Sequence, residues 1–116
     1  MSYKKKYSFQ QRAEESSRVL VKYPDRIPII CEKSSSASYD CPEIDKNKYL
    51  VPRDLTMGQF LYVIRKRMSL PPEKAIFLII GNFIPSSCSN ISEIYNIYGD
   101  NDGFLYILYS SENVFG

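Results

Sequence analysis

The sequence predicts an α+β fold in which a mixed sheet carries a central helix across one face. Three observations support this. The 116 residues, 44% hydrophobic and 24% charged, suit one domain with one core. Two strand-like runs precede a long amphipathic helix and two more follow it. Both longer helices open on a capping-box pattern, Ser8 with Gln11 and Thr56 with Gln59.

The N-terminal MSYKKKY is too brief to show a period beyond one helical turn. From Ser8 a helix is predicted to about Tyr23, where Pro24 stops it. Phe9, Ala13 and Leu20 share its inner face, and Glu14 pairs with Arg18 outside. RIPIICEK then reads as a strand through Ile27, Ile29 and Ile30, with Pro28 favouring an edge position or a bulge. Ser34 to Ser38 is a flexible loop, and KYLVP, Lys48 to Pro52, is the second strand. The Thr56 helix runs to about Met68 with Phe60, Ile64 and Met68 on one stripe, and Arg65, Lys66 and Arg67 suit the negative end of its dipole. AIFLII, Ala75 to Ile80, is a buried strand. Asn90 caps a short helix with the stripe Ile91, Ile94, Tyr95 and Tyr98, ended by Gly99, and FLYILYS, Phe104 to Ser110, is the last strand. This order matches the β-grasp arrangement of ubiquitin, with the extra N-terminal helix covering the opposite face of the sheet.

Composition narrows the function. The chain has no histidine, so nucleophile systems that need an imidazole base are excluded, and its five glycines form no phosphate-binding loop. DNDG, Asp100 to Gly103, fails as a calcium loop because Tyr98 and Tyr109 fall where acidic ligands belong, and it reads as a turn. Cys31, Cys41 and Cys88 lack metal-ligand spacing and read as reduced thiols in the cytosol. The expectation is therefore a protein that is not an enzyme and needs no metal or cofactor. A net charge of +2 implies no nucleic-acid partner. No apolar run approaches the roughly 18 residues of a membrane span, and neither a signal peptide nor a myristoylation or prenylation motif is read.

KYPDRIPIICEK, DKNKYLVPRDLTMGQFLYVIRKR and FLYILYSSENVFG resemble the autophagy-related protein 8 family of ubiquitin-like modifiers, which includes GABARAP and microtubule-associated protein light chain 3. The resemblance extends from about Tyr3 to Gly116, although the Ser-rich loop is longer than in GABARAP. It implies two N-terminal helices on a ubiquitin-like core. The expected organisation is a helical extension over residues 1–24, the core over 25–110 and a conjugation tail over 111–116. It also implies that Gly116, with Phe115 before it, is exposed by a cysteine protease where residues follow it. Activating and conjugating enzymes would then join it to phosphatidylethanolamine on autophagosome membranes, taking the protein from cytoplasm to membrane. Glycine lacks a Cβ and presents an uncrowded carbonyl to an attacking amine. Phosphatidylethanolamine brings two acyl chains, which meets the two-signal requirement for stable anchoring.

The same resemblance implies that receptors and adaptors bind through a short motif, an aromatic residue, two spacers and then Leu, Ile or Val, added as a strand beside KYLVP. The aromatic pocket then falls on Glu15, Val19, Pro28, Lys48, Leu50 and Phe104, and the aliphatic pocket on Tyr49, Val51, Pro52, Leu55, Phe60 and Val63. Strand alternation agrees, since Lys48 and Leu50 face one way and Tyr49 and Val51 the other. Phe60 and Phe104 are expected to serve the core as well. Arg26, Lys46, Lys48 and Arg67 would attract an acidic flank. The alternative reading is an unconjugated ubiquitin-like binding module in vesicle trafficking or on the cytoskeleton, its basic N-terminus meeting acidic tubulin tails or anionic lipid. Loss of Gly116 separates the two.

Overall fold

In a computed structural model that describes residues 2–112, the strands Arg26–Lys33 (β1), Lys48–Pro52 (β2), Phe77–Ile79 (β3) and Leu105–Ser110 (β4) form a mixed sheet. Their order is β2-β1-β4-β3, with β1 and β4 parallel and the other two pairings antiparallel. Helices α1 (Tyr3–Lys6), α2 (Phe9–Lys22), α3 (Met57–Met68) and α4 (Ile91–Tyr98) complete the architecture.

Alternation along the strands divides the apolar residues between two faces. Ile27, Ile29 and Cys31 of β1, Tyr49 and Val51 of β2, and Leu105, Ile107 and Tyr109 of β4 meet Phe60 and Ile64 of α3 and Ile91 and Ile94 of α4 in the main core. On the other face Ile30 and Phe104 pack with Tyr3 of α1. The N-terminal helices thus cover the face opposite α3, as the sequence predicts. No helix among the described residues is long and apolar enough to cross a membrane.

Both capping boxes form, Ser8 with Gln11 and Thr56 with Gln59. Asn90 accepts from Ser92 N at the start of α4. Tyr3–Lys6 is helical, with Ser2 as its cap.

Several expectations change. Phe9 is 52% exposed, and the buried residues of α2 are the polar pair Arg12 and Ser16. Arg12 faces inward because Asp102 waits there as a counter-charge, Arg12 Nε standing 3.2 Å from Asp102 Oδ2. Glu14 accepts a hydrogen bond from Gln10 and does not bridge to Arg18.

Strand β1 is interior, not an edge. Register explains how Pro28 is accommodated there. Cys31 N donates to Asn47 O, which makes the odd positions of β1 the hydrogen-bonded ones toward β2. Pro28 opposite Leu50 and Pro52 opposite Arg26 are both non-hydrogen-bonded pairs. The parallel ladder with β4 starts one residue later, at Ile29, so neither proline removes a needed donor.

The Ser-rich loop is anchored. Ser34 N donates to Tyr109 O, Ile44 N donates to the Tyr109 hydroxyl, and that hydroxyl donates to Pro42 O. Gly99 ends α4 at φ −58°, outside the left-handed region. Its requirement is space, since a Cβ there would stand 2.6 Å from Tyr95 O.

Candidate functional site: the β2 edge

Strand β2 is an open edge of the sheet. The alternation that suits Pro28 also decides what this edge presents. Tyr49 and Val51 spend their backbone groups on β1, whereas the N–H and C=O of Lys48 and Leu50 point away from the sheet. The Leu50 carbonyl accepts a long hydrogen bond from Arg26 Nη1 at 3.5 Å. Pro52 has no N–H and closes the ladder.

On the α2 side, Lys48 and Leu50 share a face with Pro28 and the following even positions of β1. Phe104 is buried immediately before the Leu105 that pairs with Ile29. Glu15 and Val19 are one helical turn apart on α2 and both half-buried. Lys48 Nζ reaches Glu15 at 2.6 Å and 2.9 Å to its two oxygens, a bridge across the predicted aromatic pocket. Burial alone would raise the Glu15 carboxyl. The hydrogen bonds from Lys48 and Tyr3 outweigh it and hold that carboxyl below its ordinary value. Clefts open on either side of Lys48. One of about 380 Å³ lies among Tyr3, Lys6, Glu32, Lys46 and Asn47, and one of about 260 Å³ lies among Gln11, Glu14, Glu15 and Arg18.

On the α3 side the predicted aliphatic residues divide by burial. Tyr49, Val51 and Phe60 belong to the core, the Tyr49 and Phe60 rings meeting edge to face at 5.4 Å. Leu55 packs against that core while half-buried, and Pro52 and Val63 are exposed. Leu55 and Val63 are thus the accessible residues on this side, whereas Pro52, the last residue of β2, has the strand parity of Lys48 and Leu50 and does not join them by alternation.

The basic residues are partly engaged. Arg67 lies 3.1 Å from Asp45, and Lys46 Nζ lies 5.3 Å from the centre of the Tyr49 ring. Gly116 and Phe115 lie outside the described residues. Before them, Ser111 and Glu112 line a cleft of about 330 Å³ with Leu70, Pro71 and Lys74.

Tyr3 is the neighbour of this site that periodicity does not reveal. Its hydroxyl donates to Glu15 Oε2 at 2.8 Å, its N–H donates to Glu32 Oε2 at 2.8 Å, and its ring packs edge-on against Phe104 at 5.5 Å. MSYKKKY offers two tyrosines, Tyr3 and Tyr7, and nothing in that stretch singles out Tyr3.

Comparison with known proteins agrees with this architecture over nearly all of the chain. A family model described as autophagy protein Atg8, ubiquitin like, matches residues 11–116. Autophagy-related protein 8 of Pichia angusta is 57% identical over 114 residues, covering 98% of this chain and 90% of its own. Its counterpart in Candida glabrata is 54% identical over 115 residues, covering 99% and 96%. The crystal structure of Trypanosoma brucei ATG8 superimposes with a TM-score of 0.88 at 43% identity, over 95% of this chain and 93% of that one. With the ubiquitin-like sheet, the two N-terminal helices and relatives above half identity over nearly every residue, the chain belongs to the Atg8 family of ubiquitin-like autophagy modifiers.

Proposed function

We propose that this modifier is joined through the Gly116 carboxyl to phosphatidylethanolamine on autophagosome membranes. There its β2 edge recruits receptors and adaptors carrying an aromatic residue, two spacers and an aliphatic residue. The observation that carries the recruitment half is the open edge at Lys48 and Leu50, whose outward-pointing backbone groups have no strand partner and suit strand addition. Anchors three residues apart on an added strand fall on opposite sides of it, one toward Glu15, Leu50 and Phe104, the other toward Leu55 and Val63.

Burying two anchors contributes roughly 1.5 to 3 kcal/mol each. A few strand hydrogen bonds add about 0.5 to 1.5 kcal/mol apiece. Peptide ordering and association entropy offset most of that total, so dissociation constants are on the order of micromolar. The residue-by-residue family likeness supports the conjugation half. On this reading Gly116 is the residue on which activating and conjugating enzymes act and from which a cysteine protease processes or releases the modifier.

The test is mass spectrometry after incubation with ATP, activating and conjugating enzymes and phosphatidylethanolamine liposomes, beside a Gly116→Ala control. A lipid-sized mass gain that requires Gly116 supports the reading. No adduct, with enzymes active on another family member, leaves an unconjugated binding module.

A further inference from the structure

Tyr3 touches three residues of the proposed aromatic pocket, each through a different force. Its hydroxyl donates to Glu15, its ring packs against Phe104, and Lys48 Nζ lies 5.4 Å from the centre of that ring. The side chain is 9% exposed, and α1 is tied down through the Tyr3 N–H on Glu32 and the Lys4 ion pair with Asp100 at 2.7 Å. Tyr3 is therefore a fixed part of the wall.

The Glu15 carboxylate is held from two directions. Lys48 reaches both oxygens and Tyr3 reaches Oε2, so about one of its four lone-pair directions stays open. The two donors differ in what keeps them there. The Lys48 side chain is 52% exposed, and its ammonium is free to follow an acidic peptide flank into solvent. The Tyr3 hydroxyl, on a ring packed against Phe104 and a residue only 9% exposed, has no such freedom. Burial raises its phenol well above the ordinary value and Glu15 raises it further, so it remains a donor at neutral pH.

We propose that Tyr3 is a specificity-determining residue of the peptide site. It fixes the Glu15 carboxylate as the acceptor for an aromatic anchor that carries its own N–H donor, so α1 selects indole over plain phenyl. The proposal rests on the peptide-binding reading given above. It names Tyr3 as a positioning residue acting through Glu15. Without the hydroxyl, the carboxylate follows Lys48 outward, and the indole N–H enters the pocket with no aligned partner. A phenyl anchor makes no such demand and is indifferent to the change.

The experiment is calorimetric titration of two peptides that differ only in Trp or Phe at the aromatic position, both with the same acidic flank. They are titrated against wild type, Tyr3→Phe, Glu15→Gln and the double variant. Tyr3→Phe keeps the ring on Phe104, and thermal unfolding checks that it folds. The expected result is weakening of the Trp peptide by about 3- to 10-fold with the Phe peptide little changed, and no further loss of discrimination in the Glu15→Gln background. Equal weakening of both peptides, the outcome of a merely structural role for α1, overturns the proposal. An unchanged Trp-to-Phe ratio overturns it as well. Failure of wild type to bind either peptide saturably overturns the peptide site itself, and Tyr3's role with it.

Discussion

Arg12 of α2 and Asp102 of the turn before β4 form an ion pair in the interior, Arg12 Nε standing 3.2 Å from Asp102 Oδ2, with the carboxylate side chain fully buried. The contact is a charge pair rather than a directed fork, because Arg12 Nε and Nη1 find no aligned acceptor. Asp102 does more than balance charge. It accepts from Phe104 N at 2.9 Å and from the Tyr106 hydroxyl at 2.5 Å, and its backbone carbonyl accepts from Ser16 Oγ. The residue links α2, the turn and β4.

Removal of either partner strands a buried charge, which costs about 3 to 5 kcal/mol. Arg12→Leu is expected near the low end, since Asp102 keeps its two hydrogen bonds. Asp102→Leu is expected at the high end, since it orphans the guanidinium, the Phe104 N–H and the Tyr106 hydroxyl together. Urea unfolding of both variants checks the order. Equal losses would mean that the turn hydrogen bonds contribute nothing beyond the charge pair.

Gly103 offers a test with a built-in control. Its φ is +95°, and a Cβ there would collide with Ser16 Oγ and come within 2.9 Å of Ser16 Cβ. Gly81 also has positive φ, +59°, yet a Cβ there meets nothing within 4 Å. Backbone strain alone costs about 1 to 3 kcal/mol. Gly103→Ala should therefore destabilise clearly more than Gly81→Ala in thermal unfolding. The difference measures the close approach of α2 to the Asp100–Gly103 turn.

Much of the fold is legible because its signals are local. The capping boxes at Ser8 and Thr56 join residues three apart, and the alternation of Lys48 through Pro52 needs only the strand period. What periodicity misses depends on contacts distant in sequence. The spacing of Phe9, Ala13 and Leu20 puts Phe9 inward, whereas the helix turns Arg12 inward toward Asp102 and leaves Phe9 exposed. Pro28 argues for an edge until its partner's register is known. At the site, Lys48 and Leu50 follow from alternation, whereas the link from Tyr3 to Glu15 crosses from α1 to α2 and has no local signature.

Tyr109 predicts an alkaline transition. Its buried hydroxyl joins Pro42 O and Ile44 N, and burial pushes its phenol up to about 12 from an ordinary value of 10.0. Burial pushes Tyr49 up to about 12 as well. Between those values the unfolded chain has lost protons that the folded protein keeps. Stability is thus fully present below pH 10 and is lost as pH rises toward 12. Tyr109→Phe should be less stable at neutral pH by about 1 to 3 kcal/mol, from the orphaned Ile44 N–H. Its stability should also fall less steeply through the alkaline range. Urea midpoints across that range separate the two effects, and parallel curves for wild type and variant would exclude Tyr109 as a source of the slope.

The parity of β2 supplies the sharpest test of strand addition at its edge. Pro28 and Pro52 occupy non-hydrogen-bonded positions of the β1–β2 ladder, and Leu50 has the same parity. Leu50→Pro therefore removes an outward-pointing N–H while leaving the bonds to β1 intact, and the variant should fold. Tyr49→Pro removes an inward donor together with a core ring, and it should not. Leu50→Ala serves as the control for the lost side chain. If a peptide adds as a strand, Leu50→Pro should bind about tenfold more weakly than Leu50→Ala, because a peptide carbonyl is left without its donor. Circular dichroism verifies folding, and fluorescence polarisation of a labelled motif peptide reads the affinity. Equal affinities for the two Leu50 variants would mean that side-chain pockets alone hold the peptide, and that the open backbone edge takes no part.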